Sequence, residues 1–215
     1  MMNRRSASIL AVTGVALLAL LAGCQAVFTY SPLSFLQRDP ANLPPEQQVS
    51  WAEQALASGD PQAMAQAYEL VKDDPDQAYL AASLAAELSG VTQALADAIA
   101  DLDTISGWGW TSGTDAEAYL DAFLASIDPA YTSDAGALFS TLVAEAVLAG
   151  DPGELTGTDM LVGALCLAFE AADLAGSFAT ADFTVTYAFI ADCQSVLTSD
   201  DLANDLLDQV ALLGT

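Results

Sequence analysis

Histidine is absent from the chain, and only four of its 215 residues are basic. The first absence removes Ser-His-Asp and Cys-His catalysis and His-ligated metal sites, since each needs an imidazole as base or ligand. The second removes phosphate clamps. Against 29 acidic residues it also removes any electrostatic attraction to nucleic acid or to anionic lipid head groups. Glycine-rich phosphate loops are missing too: Gly107-Trp108-Gly109-Trp110 lacks the lysine and the strand that such a loop requires. Acids are so numerous that no carboxylate pair of the kind glycosidases use stands out. No twelve-residue calcium loop is present, so Asp151, Glu154 and Asp159 around a glycine-containing turn assign no metal. Neither an enzyme activity nor a cofactor is assigned.

The N-terminus is the most informative segment. Arg4 and Arg5 form a positive start, and Ile9 to Leu21 carries no charge. That run falls short of the ~20 residues a membrane-spanning helix needs and ends in small residues, the pattern of an export signal rather than an uncleaved anchor. Leu21-Ala22-Gly23-Cys24 then resembles the lipobox of bacterial lipoproteins. The resemblance implies cleavage between Gly23 and Cys24, diacylglycerol on the Cys24 thiol, and acylation of the new amine. It covers the first 24 residues. Each buried methylene contributes ~0.8 kcal/mol, so two or three acyl chains would hold the protein on a membrane almost permanently. The residue after the cysteine is Gln25 and not Asp, which under the family's sorting rule points to the outer membrane, periplasmic face.

Cleavage would leave 192 residues, enough for one domain with a sizeable core. Arg38 and Lys72 would then face 29 acids, a net charge of −27. The acids are spread along the chain and not clustered. This fits solubility or a salty habitat better than a dedicated site for a basic partner or for divalent cations. With Cys24 assigned to lipid, Cys166 and Cys193 remain, an even pair and hence a candidate disulfide in an exported domain. Both lie in apolar helical stretches, where two buried free thiols are the alternative.

Alanine and leucine dominate the apolar residues, which predicts an all-α fold. Residues 24–43 read as a lipidated cysteine and an extended tether, and 44–215 as a single helical domain of about nine helices. Pro45 opens the first helix and Gly59 closes it; Asp60-Pro61 opens a second, reaching about Lys72. Asp74-Pro75 opens a third that ends near Ser89-Gly90, and a fourth spans Val91 to about Leu102. Asp115 caps a fifth bearing Tyr119, Phe123 and Ile127. A sixth runs from about Ser133 to Ala149 with Leu138, Leu142 and Ala146 as its stripe. Gly150-Asp151-Pro152 repeats the stop-and-start signal of Gly59-Asp60-Pro61, and a seventh helix covers Thr158 to Leu174. Phe183–Tyr187 has strand-like residues but no second strand to pair with, so helix is expected there. Ser199-Asp200-Asp201 caps the last helix, with Leu202, Leu206 and Val210 as its stripe.

Ala55–Tyr68 overlays on Ala86–Ile99 at an offset of 31 residues, aligning Ser-Gly, Gln-Ala and alternate alanines. With Ala52, Gly59, Ala63, Tyr68 and Pro75 near the expected places, this looks like the tetratricopeptide family, whose unit is a helix pair of about 34 residues. The resemblance covers about half of the mature chain, with spacing short by about three residues. It implies stacked helical hairpins, a superhelix or bundle, that present a groove. An irregular alanine-rich bundle is the alternative.

Trp108 and Trp110 alternate with glycines between two hairpins, which makes them a candidate ligand or partner contact. The alternative is that both rings tuck over the end of the core. The anchor, the repeats and the missing catalytic residue types lead to a membrane-tethered, non-enzymatic scaffold or accessory subunit that binds an envelope protein. A small-molecule-binding accessory of a solute transporter is the second reading. Intact-mass analysis of the protein from native membranes should give a chain that begins at lipid-bearing Cys24, and Cys24→Ala should retain the first 23 residues. An unacylated full-length wild-type chain would refute the assignment.

Overall fold

The computed structural model describes residues 39–100, 121, 123–197 and 201–211. The chain divides into two units, Met1–Leu43 and Pro44–Thr215. In the first, Asp39 caps a short 3-10 turn, Pro40–Asn42, by accepting a hydrogen bond from the Ala41 amide at 3.1 Å. Cys24 and Gly23 lie outside the described residues, as do Trp108 and Trp110.

The second unit is all-α among its described residues. Its helices are α1 (Pro45–Ser58), α2 (Pro61–Val71), α3 (Ala78–Ser89), α4 (Val91–Ala100), α5 (Pro129–Ala149), α6 (Gly157–Ala175), α7 (Thr184–Val196) and α8 (Asp201–Val210). The helix expected from Asp115 falls mostly outside the described residues, although Asp121, Phe123 and Leu124 are helical. None of the described helices is long and apolar enough to cross a membrane.

Local chemistry sets most boundaries. Gly59, Gly90, Gly150 and Gly176 end α1, α3, α5 and α6 in the left-handed conformation that glycine adopts without a Cβ penalty. Asp60 caps α2 by accepting from the Gln62 amide at 2.9 Å. The two aligned Ser-Gly turns share one geometry. Ser58 donates to the Ala55 carbonyl at 2.7 Å and accepts from the Asp60 amide, while Ser89 donates to the Ala86 carbonyl at 2.6 Å and accepts from the Val91 amide. Phe183–Tyr187 runs into α7 as helix, as expected without a pairing strand.

Several boundaries and faces differ from the sequence reading. Asp74-Pro75 caps a 3-10 turn, Pro75–Gln77, that leads into α3. α5 begins at Pro129 and not at Ser133, because Asp128 caps it, accepting from the Ala130 amide at 3.0 Å; Asp128-Pro129 is the same signal as Asp60-Pro61. Its buried face is Ala135, Gly136, Phe139, Val143 and Ala146, whereas Leu138 and Leu142 are half-buried. Asp151-Pro152 opens no helix: Asp151 turns back onto the Gly153 amide, and Thr156 starts α6 through a capping box with Asp159. In α8, Ala203, Leu207 and Val210 are buried and Leu206 is half-buried.

Packing follows from small residues. α3 buries Ala81, Ala82, Leu84, Ala85 and Ala86 while touching α1, α2, α4, α5 and α6. α5 and α6 form the longest antiparallel pair, α7 lies across both, and α8 packs on α6 and α7. Two tyrosines tie the early helices to the later ones. Tyr68 of α2 donates to Asp134 of α5 at 2.7 Å, and Tyr79 of α3 donates to Asp159 of α6 at 3.2 Å. A hydrogen bond to a charged acceptor contributes about 1.5–3 kcal/mol, comparable to burying one large apolar side chain.

Gly163 marks the tightest approach. A Cβ there would lie 2.8 Å from Phe189 Cζ and 2.9 Å from Phe139 Cβ. At Gly136 the nearest atom is the flexible Leu167 Cδ2, at 3.0 Å. Replacing a helical glycine by alanine gains about 1 kcal/mol, but overpacking costs about 1–3 kcal/mol where the neighbour cannot move. Gly163→Ala should therefore lower the thermal midpoint while Gly136→Ala leaves it level or higher, measured by circular dichroism melts. Equal midpoints for the two variants would show that α5 and α7 yield freely at Gly163.

Candidate functional site

An open cleft of about 470 Å³ lies in the second unit where α1, α3, α4, α5 and α6 meet. Leu56, Phe139 and Val162 supply apolar lining, and the Phe139 and Val162 side chains are buried core residues. Hydroxyls of Ser58, Ser83, Thr92 and Thr158 stand around them with two carboxylates, Glu87 and Asp159. No basic side chain lines the cleft.

The two carboxylates are held differently. Asp159 Oδ2 accepts from the Thr156 amide at 2.8 Å, the Thr156 hydroxyl at 2.6 Å and the Tyr79 hydroxyl. Thr156 in turn accepts from the Asp159 amide at 3.2 Å, so α6 is capped by a reciprocal pair from its own first turn. Partial burial raises the Tyr79 pKa, and the Asp159 charge adds to the rise, which keeps this phenol a donor to the carboxylate. Glu87 sits exposed in the last turn of α3, and its carboxylate has no hydrogen-bond or ion-pair partner among the described residues. Lys72, the one cation in the second unit, lies elsewhere. It pairs with Glu69 at 2.8 Å and sits 5.8 Å from the Tyr68 ring centroid.

The structure does not bring the sequence candidates together. Asp159 acts as a helix cap, Asp151 is used in its own turn, and Glu154 is exposed. Among the described residues no three His, Cys, Asp or Glu side chains are placed to hold a metal ion. Cys166 on α6 and Cys193 on α7 are free, buried thiols, so the candidate disulfide is not formed in this structure. Both sit in the buried helical core. Burial pushes the Cys166 thiol up to about 12, with the Glu170 charge adding to the rise and the Ser89 hydroxyl opposing it. Burial pushes Cys193 up to about 12 as well, helped by the neighbouring Asp192 charge. Such thiols stay protonated and poorly nucleophilic at neutral pH.

The cleft was not legible in the sequence, because Glu87, Phe139 and Thr158 meet only through long-range packing. One local signal was available: Thr156-x-x-Asp159 before an apolar run is a capping box. Comparison with known protein families, with curated proteins and with solved structures returned no match for the chain.

The thiols make a pH dependence. A group whose pKa is raised by folding stabilises the fold fully below its unfolded value and loses that contribution as pH rises toward the folded value. The ordinary thiol value here is 9.0, so stability should begin to fall near pH 9, at up to ~1.4 kcal/mol per pH unit per thiol. Urea titrations at pH 8.5 and 9.5, below the ordinary tyrosine value of 10.0, should show the onset of this fall. A Cys166→Ala, Cys193→Ala double variant should flatten it. An unchanged slope in that variant would mean the thiols are not the titrating groups.

Proposed function

We propose that the protein is an exported bacterial lipoprotein, carried on a membrane by acyl chains at Cys24, whose helical unit is a non-enzymatic docking scaffold or accessory subunit in the cell envelope. The observation that carries the docking part is the cleft between α1, α3, α5 and α6, large enough for one or two side chains and lined by apolar, hydroxyl and carboxylate groups, of which the Glu87 carboxylate has no partner among the described residues. The missing histidines and the near absence of cations favour binding over catalysis. The lipobox residues Leu21-Ala22-Gly23-Cys24 support the anchor, and Gln25 favours the outer membrane. The matched Ser-Gly turns at Ser58-Gly59 and Ser89-Gly90 support tetratricopeptide-like hairpins, a type of unit that stacks to present a concave surface.

A second reading, a ligand-binding accessory of a solute transporter, draws on the cleft volume, which falls within the roughly 300–1,000 Å³ of small-molecule sites. Site-specific photo-crosslinking separates the two. A benzoylphenylalanine at position 158, irradiated in intact cells, should give a discrete membrane-fraction adduct with another protein, and one at exposed position 145 should not. Absence of any adduct from 158 would remove the scaffold reading in favour of the small-ligand one. Identical adducts from both positions would remove the cleft as the docking site.

A further inference from the structure

We infer that the occupant of the cleft is a lysine or arginine side chain carried on a segment of a partner protein; this rests on the docking reading above. Two observations point to one sign of charge. The charged side chains that line the cleft are both acidic, and Glu87 has no partner among the described residues. The last turns of α1 and α3 line it too, and neither holds a basic residue. Helix C-termini carry partial negative charge and ordinarily favour a cation. Two helix N-termini also reach the cleft, that of α4 at Thr92 and that of α6 at Thr158; Asp159 and Thr156 cap the second. An anion entering there would still face both carboxylates with no basic side chain to hold it.

Shape narrows the cation. Lysine and arginine carry an apolar stem below a charged head, and the cleft offers Leu56, Phe139 and Val162 alongside Glu87. A bare divalent ion would need six or more oxygen ligands, whereas only two carboxylates line the cleft and one is already shared with Thr156 and Tyr79. A net charge of −27 on the Pro44–Thr215 unit, from Lys72 against 28 acids, would draw a basic segment from a distance and speed its encounter.

The test uses the full lipidated chain in detergent and a capped pentapeptide, Gly-Leu-Lys-Leu-Gly, beside its acetyl-lysine form and spermidine. Amide chemical shifts of Ser83, Glu87, Thr92 and Thr158 should move saturably with the lysine peptide and stay still with the acetylated one. Glu87→Gln should weaken binding about fivefold, the scale of a partly exposed ion pair, whereas Glu145→Gln should leave it unchanged. Equal weakening by both variants would show general surface attraction and overturn the inference. Equal shifts from the acetylated peptide would do so too while leaving the docking reading intact, and equal shifts from spermidine would reassign the cleft to a small amine. If the lysine peptide leaves these amides unmoved while the 158 crosslink still forms, the basic occupant falls and the docking site stands.

Discussion

Close approach between helix backbones is the constraint from which the rest of the structure follows. α3 can touch five other helices because its buried face is largely alanine, so the axes come near without side chains between them. Gly163 does the same for α6 against Phe139 and Phe189, where no side chain at all fits. Alanine buries little apolar area per residue, so such a core gains less from transfer than a leucine-rich one and depends more on dense van der Waals contact. The large rings, Phe139, Phe169, Phe178 and Phe189, are concentrated around α5, α6 and α7, where the alanine face ends.

The same dense packing determines which polar groups matter. Between helices, Tyr68–Asp134, Tyr79–Asp159 and Ser133–Glu170 are hydroxyl-to-carboxylate bonds, the pairing available to a chain with almost no cations. A protein of ordinary composition would use lysine or arginine at some of these positions and at its helix C-termini. Here the helices α1, α3, α5 and α6 end without a basic residue, and glycine caps alone terminate them. The acidity thus reaches from the surface into the way the fold is tied together. It leaves unneutralised negative ends wherever two helix C-termini converge, as they do at the cleft.

Much of the fold was legible because its signals are local. Gly59, Gly90, Gly150 and Gly176 required a left-handed backbone, and Asp60-Pro61 required a helix start, whatever lay around them. Asp128-Pro129 and Thr156-x-x-Asp159 carried the same kind of signal but were overshadowed by apolar periodicity, which misplaced the start of α5 and left the capping role of Asp159 unseen. Periodicity misled for a physical reason. In an alanine-rich helix several faces look apolar, so Leu138 and Leu142 resemble a core stripe as well as Phe139 and Val143 do.

By itself, then, the sequence determined helix for the described part of the second unit, the turns that end the helices, the acidic balance and the chemistry that balance forbids. Those properties depend on each residue and its near neighbours. Tertiary structure alone decided which face of α5 is inside, that Cys166 and Cys193 are free, buried thiols, and that Glu87 and Thr158 share a cleft with the end of α1. Each of those depends on contacts between residues tens of positions apart, and the energy that selects them is spread over many small, non-directional contacts with no sequence pattern of their own.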